Sequence, residues 1–84
     1  MEFKVLVTIL VPEIEKNYEV YLPVNKTIGV ILKYINKLLN ESTSGVYPIK
    51  DNLALCNRFT DEVYDINKYI RDTDIRNGTQ LVFY

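Results

Sequence analysis

The sequence predicts an α+β domain: one long helix packed on one face of a mixed sheet of four to five strands, in the order ββαβββ. Two runs near the N-terminus alternate apolar and polar residues and are joined by a short polar link, the pattern of a β-hairpin. A single stretch carries an apolar stripe at helical spacing. The first and last strand-like runs are the most apolar, which suits neighbours at the centre of a sheet. If they lie parallel, the intervening chain must cross over, and the helix supplies that crossover.

Phe3 to Val11 opens the chain as a strand, with Phe3, Val5, Val7, Ile9 and Val11 on one apolar face and Lys4, Leu6, Thr8 and Leu10 on a mixed one. Pro12 to Asn17 is a polar turn. Tyr18 to Leu22 alternates again, and Pro23 ends that strand because it has no ladder donor. Thr27 offers its hydroxyl as an N-cap to a helix from Ile28 to Asn40. At about 100° per residue, Ile28, Ile31, Leu32, Ile35, Leu38 and Leu39 share one arc. Gly29, Lys33, Asn36 and Lys37 take the wet side. Gly29 lowers helix propensity by roughly 1 kcal/mol relative to Ala and is tolerated near the end.

Glu41 to Asn52 is the one loop-like segment, broken by Gly45 and Pro48. Leu53 to Asn57 reads as a short strand and Glu62 to Asp65 as a very short one. Ile70 and Ile75 are core plugs in an irregular stretch. Asn77-Gly78 is a turn, and Gln80 to Tyr84 is the last strand.

Composition narrows the function classes. The chain has 84 residues, enough for one domain, and a hydrophobic fraction of 48%, enough for a core. A net charge of −1 gives no handle for nucleic acid. There is no histidine, which removes Ser/His/Asp and Cys/His catalysis and most zinc sites. The N-terminal apolar run, from Lys4 to Pro12, is too short to span a membrane and lacks signal-peptide features. The single cysteine, Cys56, fits a reducing compartment. These readings give a cytoplasmic domain with no catalytic residues, no cofactor and no metal site.

The order and spacing resemble the ubiquitin-like β-grasp fold over the whole chain, residues 1–84. "EVYLP" followed by "TIGVILKYI" is similar to the second strand and helix start of ubiquitin-like proteins. "YIRDTDIRNGTQLVF" is similar to their short 3₁₀ segment and last strand. The resemblance implies buried plugs at Ile70 and Ile75 and inward-pointing Leu81 and Phe83. Within that fold, "YEVYLPVNKTIGVI" and "IRNGTQLVFY" resemble the small YukD/EsaB-like proteins encoded with type VII (WXG100) secretion systems of Gram-positive bacteria, from which Thr79 departs mildly. The implied role is a cytoplasmic accessory or regulatory component, acting by contact with other proteins, among them secretion-system membrane components, or with a second copy of itself. The alternative is a ubiquitin-like modifier or sulfur carrier with a degenerate tail. Such carriers end in Gly-Gly, and here Gly29, Gly45 and Gly78 are all internal, so conjugation is not expected.

The candidate contact surface is the sheet face turned away from the helix. It is expected to gather Leu6, Leu10, Tyr21, Cys56, Val82 and Tyr84, with Ala54 among them. An apolar patch edged by tyrosine is a common protein contact. Cys56 reads as a packed hydrophobe rather than a reactive thiol. Asp61, Glu62, Asp65, Asp72 and Asp74 lack calcium-loop spacing and read as turn formers. Lys33 and Lys37 read as a solvated helix face. Tyr34 and Tyr47 read as packing rim.

Overall fold

A computed structural model describes residues 3–84; Met1 and Glu2, which open the expected domain, lie outside the described residues. Strand β1 (Lys4–Val11) leads through a 3₁₀ turn at Pro12–Ile14 into β2 (Lys16–Pro23), and helix α1 spans Ile28–Ser42. Strand β3 (Leu55–Asn57), a second 3₁₀ turn at Ile70–Asp72 and β4 (Gln80–Phe83) complete the chain. The sheet runs β2-β1-β4-β3. The first and last strands are parallel neighbours at its centre, as their apolar content predicts, and antiparallel β2 and β3 flank them.

The inward faces of β1 (Val5, Val7, Ile9, Val11), β2 (Leu22), β3 (Leu55) and β4 (Leu81, Phe83) meet Ile28, Ile31, Leu32, Ile35 and Leu39 of α1. Burying each such side chain is worth about 1.5–3 kcal/mol. Ile70 and Ile75 are fully buried plugs. Phe3, expected on the inward face, is instead 65% exposed, because it precedes the first paired residue. Leu38, expected in the helix stripe, stays partly exposed at its margin.

All four first-turn amides of α1 find acceptors. The Thr27 hydroxyl takes the Val30 N–H at 3.3 Å and the Thr27 carbonyl takes that of Ile31. Ile28 donates to Lys68 O at 2.8 Å and Gly29 to Ile66 O at 2.9 Å. A loop distant in sequence therefore helps to cap the helix, satisfying donors that would otherwise be orphaned.

Several local expectations are corrected. The second strand starts at Lys16, not Tyr18, since the connection needs only a 3₁₀ turn closed by Glu15 in the left-handed region. The helix runs to Ser42. The third strand begins at Leu55 rather than Leu53. The strand expected over Glu62 to Asp65 reduces to one bridge, Val63 to Cys56, leaving four strands among the described residues.

Asn36 is not on the wet face. It is 2% exposed; its amide donates to Pro48 O at 2.9 Å and its carbonyl accepts the Lys50 N–H at 2.7 Å. Asn40 donates to Tyr47 O at 2.8 Å. These bonds fold the loop after α1 inward, so Tyr47 is a core residue rather than a rim, its ring centroid 6.2 Å from that of Phe83.

Candidate protein-binding face

Alternation along each strand fixes which residues share the face away from α1, and register fixes which stand side by side. On β1 these are Lys4, Leu6, Thr8 and Leu10. Leu6 stands opposite Tyr21. Leu10 stands opposite Val82, and Val82 opposite Cys56. Tyr84 continues the outward side of β4 and exchanges both backbone hydrogen bonds with Ala54, at 2.6 and 3.1 Å.

The six expected residues therefore do share a face, but not one continuous patch. Between the two apolar groups runs a polar row, Glu19–Thr8–Gln80. Leu10, Val82, Cys56 and Tyr84 form one group; Leu6 and Tyr21 form the other. Gln80 accepts a hydrogen bond from the Arg58 guanidinium, which fixes the polar row at its β4 end.

Cys56 does not present its sulfur to solvent. It is 6% exposed, because β3 is flanked by β4 and by the Val63 bridge. Its place is a packed hydrophobe under the face, not a contact on it. Its sulfur beside the Tyr84 hydroxyl raises that phenol's pKa above the ordinary value. The row across the sheet instead ends in Val63, 58% exposed, on the same side as its bridge partner Cys56. Phe59 is exposed nearby under the Arg58 guanidinium, 5.6 Å away. Val63 lies in the very short strand expected over Glu62 to Asp65, a reading that did not assign it to this face; the placement of Phe59 follows from a turn in which Asn57 Oδ1 accepts the Phe59 and Thr60 amides, and had no sequence signal.

The acidic residues divide among separate duties. Asp65 accepts the Asn67 amide within a turn at 2.9 Å, and Asp74 accepts the buried Tyr64 hydroxyl at 2.6 Å. In the Asp72–Asp74 segment it is Thr73, not an aspartate, whose hydroxyl closes the turn, donating to Ile70 O and accepting from Ile75 N. Among the described residues, no group of three or more His, Cys, Asp and Glu side chains could hold a metal ion. Lys33 and Lys37 are exposed, as expected. No described helix is long and apolar enough to cross a membrane.

This architecture is the ubiquitin-like β-grasp fold. A chain of the MycP5-free ESX-5 inner membrane complex in state II superposes with a TM-score of 0.80 at 19% identity. That match covers 99% of this chain and 21% of the other, so the protein spans about a fifth of that longer chain. The ubiquitin-like domain of the Mycobacterium tuberculosis type VII secretion system protein EccD1 superposes at 0.73 with 15% identity, covering 99% and 98% of the two chains. An Arabidopsis thaliana ubiquitin-like domain gives 0.72 and 19% identity over 99% and 78%. No protein-family model matches the chain, and no curated protein matches it in sequence.

Proposed function

We propose that the protein is a non-enzymatic interaction module, a cytoplasmic accessory component of a type VII secretion system that docks other proteins, including membrane components of the machinery. The observation that carries this reading is the end-to-end structural match to the EccD1 ubiquitin-like domain, together with the ESX-5 match at a higher TM-score. The docking surface in this reading is the outer sheet face, with Leu10, Val82, Tyr84 and Val63 as one apolar group and Leu6 and Tyr21 as a second.

The test is co-purification of the secretion machinery with the protein from its host, compared with Val82→Glu and Tyr21→Glu. Tyr21 is 62% exposed, so its replacement leaves the core untouched. Loss of the complex with an unchanged thermal melt supports the reading. Retention by both variants removes the outer face as the contact. Intact mass of the native protein separates the module from the carrier alternative: an adduct or a conjugate ladder would replace the module with a carrier.

A further inference from the structure

Residues 47–52, between α1 and β3, are held differently from the rest of the domain. Among the described residues, none of their hydrogen bonds runs from backbone to backbone. Tyr47 N–H donates to Thr43 Oγ1 at 2.8 Å, and the Tyr47 carbonyl accepts from Asn40 at 2.8 Å. Asn36 bonds Pro48 and Lys50, and the Lys50 ammonium pairs with Glu13 in the β1–β2 connection. Tyr47 is the one buried side chain of the segment, while Val46 and Ile49 on either side of it are exposed. That single anchor is imperfect. A buried tyrosine hydroxyl usually finds a hydrogen-bond partner, yet the Tyr47 hydroxyl has none among the described residues. An unpaired buried polar group weakens the closed state. Few buried contacts, and bonds made only through side chains, mark a segment that opens before the core does.

The same segment reaches the outer face through its neighbours. The Tyr47 ring packs against Phe83, their centroids 6.2 Å apart. Ala54 and Tyr84 exchange both backbone bonds and form the last rung of the β3–β4 pairing, just beyond Leu55 and Phe83. On the other side of β4 the parallel register stops at Leu10 and Val82, so Tyr84 is paired on the β3 side alone.

We propose that residues 47–52 form a strap that opens as one unit with the Ala54–Tyr84 rung, so that closure of the strap on Tyr47 sets the order of Tyr84 on the outer face. The Glu13–Lys50 pair latches the strap to the β1–β2 connection. The unpaired Tyr47 hydroxyl keeps closure marginal. Opening takes the Tyr47 ring off Phe83 and loosens the rung beside it. Regulation of the docking surface follows by linkage. A partner that contacts the ordered Tyr84 favours the closed strap, and loss of the latch weakens that partner by the same factor. This consequence rests on the outer face being the docking surface; the opening itself does not.

The experiment is native-state amide hydrogen exchange by NMR on the full chain with no partner added. The amides of Tyr47, Lys50, Ala54 and Tyr84 are expected to share one protection, roughly tenfold or more below that of Ile35 in the middle of α1. Ile70 is a buried plug whose N–H bonds Lys26 O beside the start of α1. Ile70→Val speeds exchange at Ile35 roughly two- to tenfold, the scale of losing one buried methyl. It leaves the four strap amides unchanged, because the strap opens without unfolding the core. Glu13→Gln speeds all four roughly two- to fivefold, the scale of an exposed ion pair. Tyr47→Phe keeps the ring, removes the unpaired hydroxyl and slows all four roughly fivefold or more. Ala54 and Tyr84 keeping the protection of Ile35 while Tyr47 and Lys50 open would overturn the coupling. Ile70→Val speeding all five amides together, or Tyr47→Phe speeding exchange, would overturn the strap. Failure of the outer face to bind leaves every one of these outcomes as it is, since no partner enters the measurement.

Discussion

Gly29 donates its backbone N–H to the carbonyl of Ile66 at 2.9 Å, and a Cβ built on Gly29 lies 3.2 Å from that same oxygen. The helix start and the loop from Asp65 to Ile70 are thus in direct backbone contact. A glycine that propensity alone counts as a defect is a contact requirement.

Gly29→Ala tests this. Helix propensity alone predicts a gain of about 1 kcal/mol. The Ile66 carbonyl has little freedom to retreat, because Lys68 N–H to Asp65 O closes a turn around it, and Ile28 to Lys68 O and Ile70 to Lys26 O pin the loop just after it. Overpacking of this kind costs about 1–3 kcal/mol, so the expected outcome in urea unfolding is a net loss of about 1 kcal/mol. A gain of the propensity value would show that the loop yields.

Asn36 predicts the next result. Asn36→Leu keeps the branched shape and the number of side-chain heavy atoms but leaves Lys50 N–H and Pro48 O without their partner. The expected loss is about 2 kcal/mol, the scale of leaving such groups unsatisfied. Hydrogen exchange at the Lys50 amide rises with it. An unchanged exchange rate would mean that the loop holds Tyr47 in place without Asn36.

Much of this architecture was legible in the chain because it rests on periodicity. The alternation of Val5, Val7 and Ile9 and the stripe from Ile28 to Leu39 follow from apolar spacing; Ile70 and Ile75 stand out as apolar residues in an irregular stretch, and the inward Leu81 and Phe83 are what the ubiquitin-like resemblance implied. What was not legible depends on contacts between distant segments. Asn36 looks solvated until Pro48 and Lys50 arrive to bond it. Tyr47 looks like a loop residue until Asn40 and Asn36 draw the loop inward. Cys56 was placed on the correct face, but its burial follows from Val63 and the neighbouring strand, which strand alternation alone does not reveal. The separation of Leu6 and Tyr21 from Leu10 and Val82 is a matter of register, fixed only once β1, β2 and β4 are paired.

The burial of Cys56 makes a chemical prediction. Iodoacetamide labels the native protein far more slowly than the urea-unfolded chain, since a packed structural cysteine is inert. Equal rates in the two states would place the sulfur at the surface and return it to the contact face.

The Asn77-Gly78 turn is anchored rather than free. Asn77 Oδ1 accepts the Leu6 amide and Gly78 N–H donates to Leu6 O, each at 2.8 Å. Gly78 sits at φ +89°, in the region where an L side chain clashes with its own backbone. Gly78→Ala is expected to cost about 1–2 kcal/mol. Open space around the position means that the loss comes from the backbone alone. Thermal unfolding measures it, and Gly78→Asn should recover part of the loss, as Asn tolerates this conformation better. Equal stability of the Ala and Asn variants would contradict a conformational origin.

Tyr64 supplies a pH signature. Its hydroxyl donates to Asp74 at 2.6 Å and accepts from Asn57 Nδ2 at 3.1 Å, and the ring is buried. Burial first, and then the hydrogen bond to Asp74, raise its pKa to about 12, against about 10 in the unfolded chain. The folded state therefore holds this proton more tightly. Its contribution is complete below about pH 10 and is lost as pH rises through about 12, where the unfolded state has already released the proton. Tyr64→Phe is expected to cost about 1–3 kcal/mol at neutral pH by removing a hydrogen bond to a charged group. It also flattens the decline in stability between pH 10 and 12, since the titrating phenol is gone. Chemical denaturation of both proteins across that interval decides it: parallel declines would show that Tyr64 ionises no later in the folded chain than in the unfolded one, and that the Asp74 contact does not hold its proton.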